Sequence, residues 1–278
     1  MAKPVDDNYS GQVGNSVYAG IEPVVAHVFI GSGQSNCQGV AAASDTPIPV
    51  GQLVGNVKTW RRSLSGNMYS GTGQWLDLEY ATNQYEGRGQ FGSVLKFAMN
   101  LRDNLEDTNN HIYIIKADGN GKPIAGWLNG GQENIAMYAG HITPALANLV
   151  ANPAYDEIRI HSFSWDQGEG DSDTQGEANA YNTNLTTLIS DLRTALSIPD
   201  LPVIIRRTES THVNHTYVGV VAQAQEDVVN ADVNARIIKG PWTYVGDDVH
   251  IDGVSQNAVG DERYRLTNLM TKGILYSG

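Results

Sequence analysis

A single cysteine, Cys37, stands among the 278 residues, so no intramolecular disulfide can form and cysteine usage leaves the redox compartment undecided. Basic residues are scarce: 18 Lys and Arg face 30 Asp and Glu, a net charge of −12. A phosphate backbone would be repelled unless a local basic patch intervened. The doublets Arg61-Arg62 and Arg206-Arg207 are too small for that, so nucleic acid is not an expected partner. No apolar run reaches the roughly 18 residues a membrane span requires, and no membrane partner is expected. The polar opening MAKPVDDNYSGQVGNSVYAG lacks the charged-then-apolar order of an export signal. What the chain has is length enough for a large core, without a repeat, a low-complexity tract or a clear linker. We expect an N-terminal extension over residues 1–23 and a single domain over residues 24–278.

Five apolar runs rich in β-branched residues read as strands: Val24 to Ile30, His111 to Ala117, Glu157 to Trp165, Pro202 to Thr208 and Ala235 to Lys239. Helical periods lie between them. Tyr181, Leu185, Leu188, Ile189, Leu192 and Leu196 fall on one face of a helix within Glu177 to Leu196, and Val94, Ala98, Leu101 and Leu105 do so earlier. Weaker helical patterns cover Glu133 to Val150, Val218 to Val229 and Gln256 to Met270. Strands apolar enough to be buried on both faces, alternating with helices, predict a three-layer α/β/α sandwich around a mostly parallel five-stranded sheet. The long connection Ala41 to Arg88 carries Trp60, Tyr69, Trp75, Tyr80 and Tyr85, which could line a pocket or cover the sheet edge.

In parallel α/β sheets, ligands bind beyond the carboxyl ends of the strands. Three polar motifs fall there: GSGQSN after the first strand, WDQGEGD (Trp165 to Asp171) after the third, and GDDVHIDG (Gly246 to Gly253) shortly after the fifth. A serine hydroxyl needs a base, most often histidine, whose other nitrogen is oriented by a carboxylate. Ser35, His250 and Asp247 supply those types. Asp247 lies three residues before His250, a one-turn spacing, and Asp248 and Asp252 compete for the same role. Donors for a developing oxyanion are available from the Ser35 N–H, a glycine N–H of the Gly87-Arg88-Gly89 turn and the Gln167 amide.

G-Q-S-N at Gly33 to Asn36, W-x-Q-G-E-x-D at Trp165 to Asp171 and D-x-x-H at Asp247 to His250 together resemble the SGNH hydrolase superfamily. The nearest resemblance is to its sialate O-acetylesterase-like and carbohydrate esterase family six branch. GRGQFGSVLKFA, the K-A-D-G-N-G segment from Lys116 leading to Trp127, and G-D-E-R after the histidine add lesser matches, and the likeness runs from about residue 24 to 266. It implies a flavodoxin-like SGNH fold, with Ser35 as nucleophile, His250 as base and Asp247 as its partner. Ser35, Gly89 and Gln167 would form the oxyanion hole, and Gln34, Asn36, Glu169 and Asp171 would support the loops. Gln90 stands where the family usually has proline, so Gly87 and Gly89 both stay open. K-A-D-G-N-G departs from the more usual G-G-T-S. The implied activity is removal of acetyl groups from an acetylated carbohydrate through an acyl-enzyme, with no metal or organic cofactor. That substrate class implies a secreted or extracellular location.

Other readings of single features are weaker. Glu169 and Asp171 could act as a glycosidase pair, although support of the Gln167 loop suits them better. DSDTQG (Asp171 to Gly176) opens like a calcium loop, but the twelfth position is Asn182 and not glutamate. His212 and His215 form H-x-x-H without the spacing or glutamate of a helical zinc site. Cys37 reads as a small buried residue. A glycan-binding module on the same scaffold, and an esterase or thioesterase acting on other small acyl groups, are the rival functions.

Overall fold

Every residue of β1 (Val25–Gly33) is buried, so this strand lies in the middle of a sheet. The computed structural model describes residues 23–48, 52–61, 73–79, 90–104, 111–119 and 121–271. After β1 come a one-turn helix α1 (Ser35–Gln38), the short strand β2 (Ala41–Ala42), the longer β3 (Leu53–Arg61) and β4 (Gln74–Glu79), and the two-residue β5 (Gln90–Phe91). Helix α2 (Ser93–Asn104) and strand β6 (His111–Asp118) follow. Next, α3 (Gln132–Ile135) runs through a π-helical turn, Ala136–Ile142, into α4 (Thr143–Val150). The remainder alternates: β7 (Glu157–Asp166), α5 (Gln175–Leu196), β8 (Val203–Arg206), α6 (Val218–Ala231), β9 (Ala235–Ile238) and α7 (Gly253–Met270).

The main sheet has seven strands in the order β4-β3-β6-β1-β7-β8-β9. All neighbours are parallel except β3 and β4. The five expected strands are present, and the count of five is corrected to seven because β3 and β4 arise inside the long connection after β1. Their sequences, LVGNVKTWR and QWLDLE, mix polar and apolar residues, and β4 forms one edge of the sheet. Trp60 and Trp75 are cross-strand partners with rings 5.2 Å apart, and Trp75 meets Tyr113 at 4.7 Å. These two tryptophans thus cover the sheet edge. Tyr69, Tyr80 and Tyr85 lie outside the described residues.

Side chains alternate across the pleat, so β1 serves two cores. Ala26, Val28 and Ile30 join the α4, α5 and α6 face, where Tyr181, Leu185, Leu188 and Leu192 of α5 are buried. Phe29 joins the opposite face with Val94, Phe97, Ala98 and Leu101 of α2. The helix α5 begins where the sequence offers a capping box: Thr174 accepts the Glu177 N–H at 3.3 Å, and its hydroxyl meets the Glu177 carboxylate at 2.6 Å. Chain order reverses at β1, with β6 on one side and β7 on the other. The carboxyl end of β1 is therefore the switch point at which open α/β sheets form clefts.

Candidate active site

Gly33 ends β1 at φ 149°, and a Cβ there would sit 2.1 Å from the Asp166 carbonyl oxygen. Only glycine allows the β1 and β7 backbones to approach this closely while the chain turns into α1. The Gln34 N–H donates to that Asp166 carbonyl at 2.9 Å, which ties the turn to the third motif. Ser35 is then the first residue of α1 and is half-buried, and its hydroxyl lies 2.8 Å from His250 Nε2.

His250 comes from a turn between β9 and α7. Asp247 Oδ1 accepts the backbone N–H groups of Val249 (3.0 Å) and His250 (2.8 Å), while Oδ2 meets His250 Nδ1 at 2.5 Å. A carboxylate only accepts, so Nδ1 carries the proton and Nε2 offers its lone pair to the Ser35 O–H. Burial works upward on the Asp247 carboxyl, but the hydrogen bonds from the His250 side chain and the two backbone N–H groups outweigh it and hold the pKa below the ordinary value. The competing aspartates make other contacts. Asp248 adopts φ 60°, and its carbonyl accepts the Ser210 hydroxyl (2.7 Å) and the Thr211 N–H (3.1 Å). Asp252 caps α7 by accepting the Ser255 N–H at 2.9 Å.

Asn36 links the two halves. Its Oδ1 accepts the Ile251 N–H at 3.0 Å, and its Nδ2 donates to the Val249 carbonyl at 3.0 Å and to Glu169 Oε1 at 2.8 Å. The fully buried amide thus grips the backbone on both sides of His250. Glu169 is in turn held by Arg206 at 2.7 Å. Arg206 also reaches Asp166 Oδ1 (2.5 Å), and Arg263 of α7 reaches Asp166 Oδ2 (2.9 Å). Burial pushes the Asp166 pKa up, but the two guanidinium groups prevail and lower it. Gln256 completes the frame, accepting the Ser93 N–H at 2.8 Å and donating to the Asn36 carbonyl at 3.3 Å. Arg206, Arg263, Asp166 and Gln256 have no assigned role in the sequence reading. The signal available was a charge closing a wholly apolar strand, as Arg206 does in β8.

One expected donor is differently engaged. Gln167 is fully buried, and its Nε2 donates to the Lys122 carbonyl (3.0 Å) and to Asp171 Oδ2 (2.6 Å), while its Oε1 accepts the Tyr181 hydroxyl at 2.9 Å. Both amide N–H groups are occupied, so Gln167 fastens the loop and has no donor left for an oxyanion. Asp171 also accepts the Ile124 N–H at 2.8 Å. Burial raises its carboxyl to about 7 against the opposing hydrogen bonds from Gln167 and Ile124. Gln34 Oε1 accepts the Gly170 N–H (3.1 Å) and the Gly168 N–H (3.4 Å). Gly87 and Gly89 lie outside the described residues.

Cys37 is buried, and desolvation drives its thiol pKa strongly upward, the opposite of what a thiolate nucleophile requires. His212 and His215 sit on the loop after β8, where His215 Nδ1 meets the Ser210 hydroxyl at 2.6 Å. Among the described residues, no group of three or more His, Cys, Asp or Glu side chains is arranged to hold a metal ion. No helix of the described residues is long and apolar enough to cross a membrane. The Ser35, His250 and Asp247 arrangement can raise the nucleophilicity of a hydroxyl and shuttle its proton.

A family model described as carbohydrate esterase, sialic acid-specific acetylesterase matches residues 25–269. The sequence matches none of the curated proteins compared with it. Among solved structures, a protein from Arabidopsis thaliana superposes with a TM-score of 0.66 at 19% identity, over 88% of this chain and 98% of the other. A carbohydrate acetylesterase from Xanthomonas citri gives 0.63 at 18%, over 88% of this chain and 57% of the other. The protein named NanS gives 0.64 at 14%, over 91% and 99%. At these identities the structural likeness speaks for the fold.

Proposed function

We propose a reaction from one premise: the chain belongs to the sialic acid-specific acetylesterase family of carbohydrate esterases, and is a carboxylic ester hydrolase of SGNH type. The reaction is hydrolysis of acetyl esters on an acetylated sugar or polysaccharide, carried by residues 24–278 as one domain. The observation that carries it is the 2.8 Å approach of His250 Nε2 to the Ser35 hydroxyl while Nδ1 is held on Asp247.

His250 takes the Ser35 proton as Oγ attacks the ester carbonyl carbon. The new C–O bond gives a tetrahedral intermediate whose negative oxygen faces the Ser35 N–H and a glycine N–H of the Gly87-Arg88-Gly89 turn. Collapse breaks the bond to the sugar oxygen, which leaves with the proton from His250, and the acetyl group stays on Ser35. Water then gives a proton to His250 as its oxygen attacks the acetyl carbon. The second collapse frees acetate and returns the proton to Ser35 Oγ. Every proton transfer runs through one imidazole, and no step calls for a cofactor.

The test is acetate release from a panel of acetylated xylan, acetylated sialic acid and other acetylated glycans, with Ser35→Ala as control. Ser35→Ala is expected to remove turnover while leaving the fold intact. Retention of most turnover by this variant would exclude Ser35 as nucleophile. Comparing acetyl with octanoyl esters separates a carbohydrate acetylesterase from a lipase-like enzyme, and the acetyl ester is expected to be preferred.

A further inference from the structure

The turn that carries Asp247 and His250 begins at the surface, and Asn36 holds only its later half, at Val249 and Ile251. A second hold comes from the loop after β8. Asp248 lies in that turn at φ 60°, and its carbonyl accepts the Ser210 hydroxyl at 2.7 Å and the Thr211 N–H at 3.1 Å. The same peptide unit presents the Val249 N–H, which donates to Asp247 Oδ1 at 3.0 Å. Peptide groups are planar, so fixing the carbonyl on one edge aims the N–H on the other. The Ser210 contact therefore bears on the carboxylate that orients His250.

Ser210 is buried, and its hydroxyl has one proton to give. A carbonyl only accepts, so that proton points at Asp248. The lone pairs of Oγ are left to the His212 N–H at 3.2 Å and His215 Nδ1 at 2.6 Å. These partners assign the ring proton of His215 to Nδ1, because an unprotonated nitrogen there would meet no hydrogen. Burial outweighs the attraction of Asp173 and Glu169 and lowers the His215 pKa, so near neutral pH this is the only N–H the ring carries. Its Nε2 stands 3.6 Å from Asp173, beyond hydrogen-bond reach. The donors run in one direction, from His215 to Ser210 to Asp248 and, across the peptide, from Val249 to Asp247. In that order each bond polarises the next.

We propose that His215 is a positioning residue for the catalytic pair, acting through Ser210 and the Asp248–Val249 peptide to hold the Asp247 carboxylate against His250. This rests on the reading of Ser35, His250 and Asp247 as the catalytic groups. No proton is transferred along the path. Its effect is to keep Asp247 Oδ2 in line with His250 Nδ1, and Nε2 within reach of the Ser35 hydroxyl.

His215→Phe keeps a ring in place and removes the Nδ1 donor. Expected is a fall in kcat of about fivefold or more with KM changed less than about twofold, measured on an acetyl ester. His215→Asn brings an amide nitrogen close to the Nδ1 position, and is expected to return kcat to within about twofold of the parent. Ser210→Ala is expected to lower kcat by about tenfold. Adding His215→Phe to it is expected to cost less than about a further twofold, because both act through one hydroxyl. If His215→Phe does not fold, His215→Gln, whose amide nitrogen falls nearer the Nε2 position, is read in the same way. A folded His215→Phe or His215→Gln variant with kcat within about twofold of the parent overturns the proposal, as does a His215→Asn variant no better than His215→Phe. A rise in KM alone would make His215 a substrate contact and overturn it too, and so would fully multiplicative losses in the double variant. Ser35→Ala separates the two failures. If it is inactive while the His215 variants match the parent, only the role of His215 falls, and if it is active the catalytic reading falls too.

Discussion

At the scale of single residues, two adjacent aspartates show how little side-chain identity decides. Asp247 presents its carboxylate to His250, whereas Asp248 contributes through its carbonyl, held by Ser210 and Thr211. Asp247→Asn is therefore expected to lower kcat by about 10² to 10⁴-fold, because an amide no longer enforces the tautomer that leaves Nε2 free to accept. Asp248→Asn is expected to leave kcat within about threefold, since asparagine tolerates the left-handed backbone at φ 60° and keeps the carbonyl. Steady-state rates on one acetyl ester check both. The types Ser, His and Asp were legible from the three motifs and their order. The resemblance already pointed to Asp247, whose partners Val249 and His250 are its near neighbours, whereas the engagement of Gln167 was not legible because it depends on residues distant in sequence such as Lys122.

Among the elements, the central strands were legible as runs rich in apolar and β-branched residues, and α5 as a clear helical stripe. Strands β3 and β4 were not, because polar residues such as Asn56, Lys58 and Asp77 interrupt their apolar pattern. The turn carrying His250 has no regular structure, and Asn36 of α1 holds it by hydrogen bonds to Val249 and Ile251. Asn36→Ala removes both grips and leaves buried partners unmet, for an expected loss of about 1–3 kcal/mol in stability. The kcat of this variant is expected to fall by about 10-fold or more even where it is fully folded. Chemical denaturation and rate measurements at the same temperature test the two parts separately.

For the whole molecule, buried ionisable groups make stability depend on pH in opposite directions. Asp171 titrates near 7 in the folded chain and near 3.8 when unfolded, so between those values the folded state binds the extra proton and stability falls as pH rises. His161 is buried and stacked on His27 with ring centroids 4.9 Å apart, and desolvation holds its pKa well below 6.5. Its neutral form belongs to the folded state, so its contribution is complete above 6.5 and is lost as pH falls toward the lower folded pKa. Asp171→Asn keeps an acceptor for Gln167 and Ile124 without the charge. This variant is expected to raise the thermal midpoint, more at pH 8 than at pH 5. An equal shift at both values would remove Asp171 as the source.

The hydroxyl and imidazole that meet at 2.8 Å are separated by 215 positions along the chain. Ser35 is synthesised well before Arg263, which anchors α7 to Asp166. A growing or partly refolded chain thus carries an ordinary, unreactive serine until α7 and the turn before it dock. Enzymatic activity is consequently a late clock of assembly: during refolding it should return after the helical signal, and its return marks the docking of the His250 turn and α7 onto the segment that follows β1.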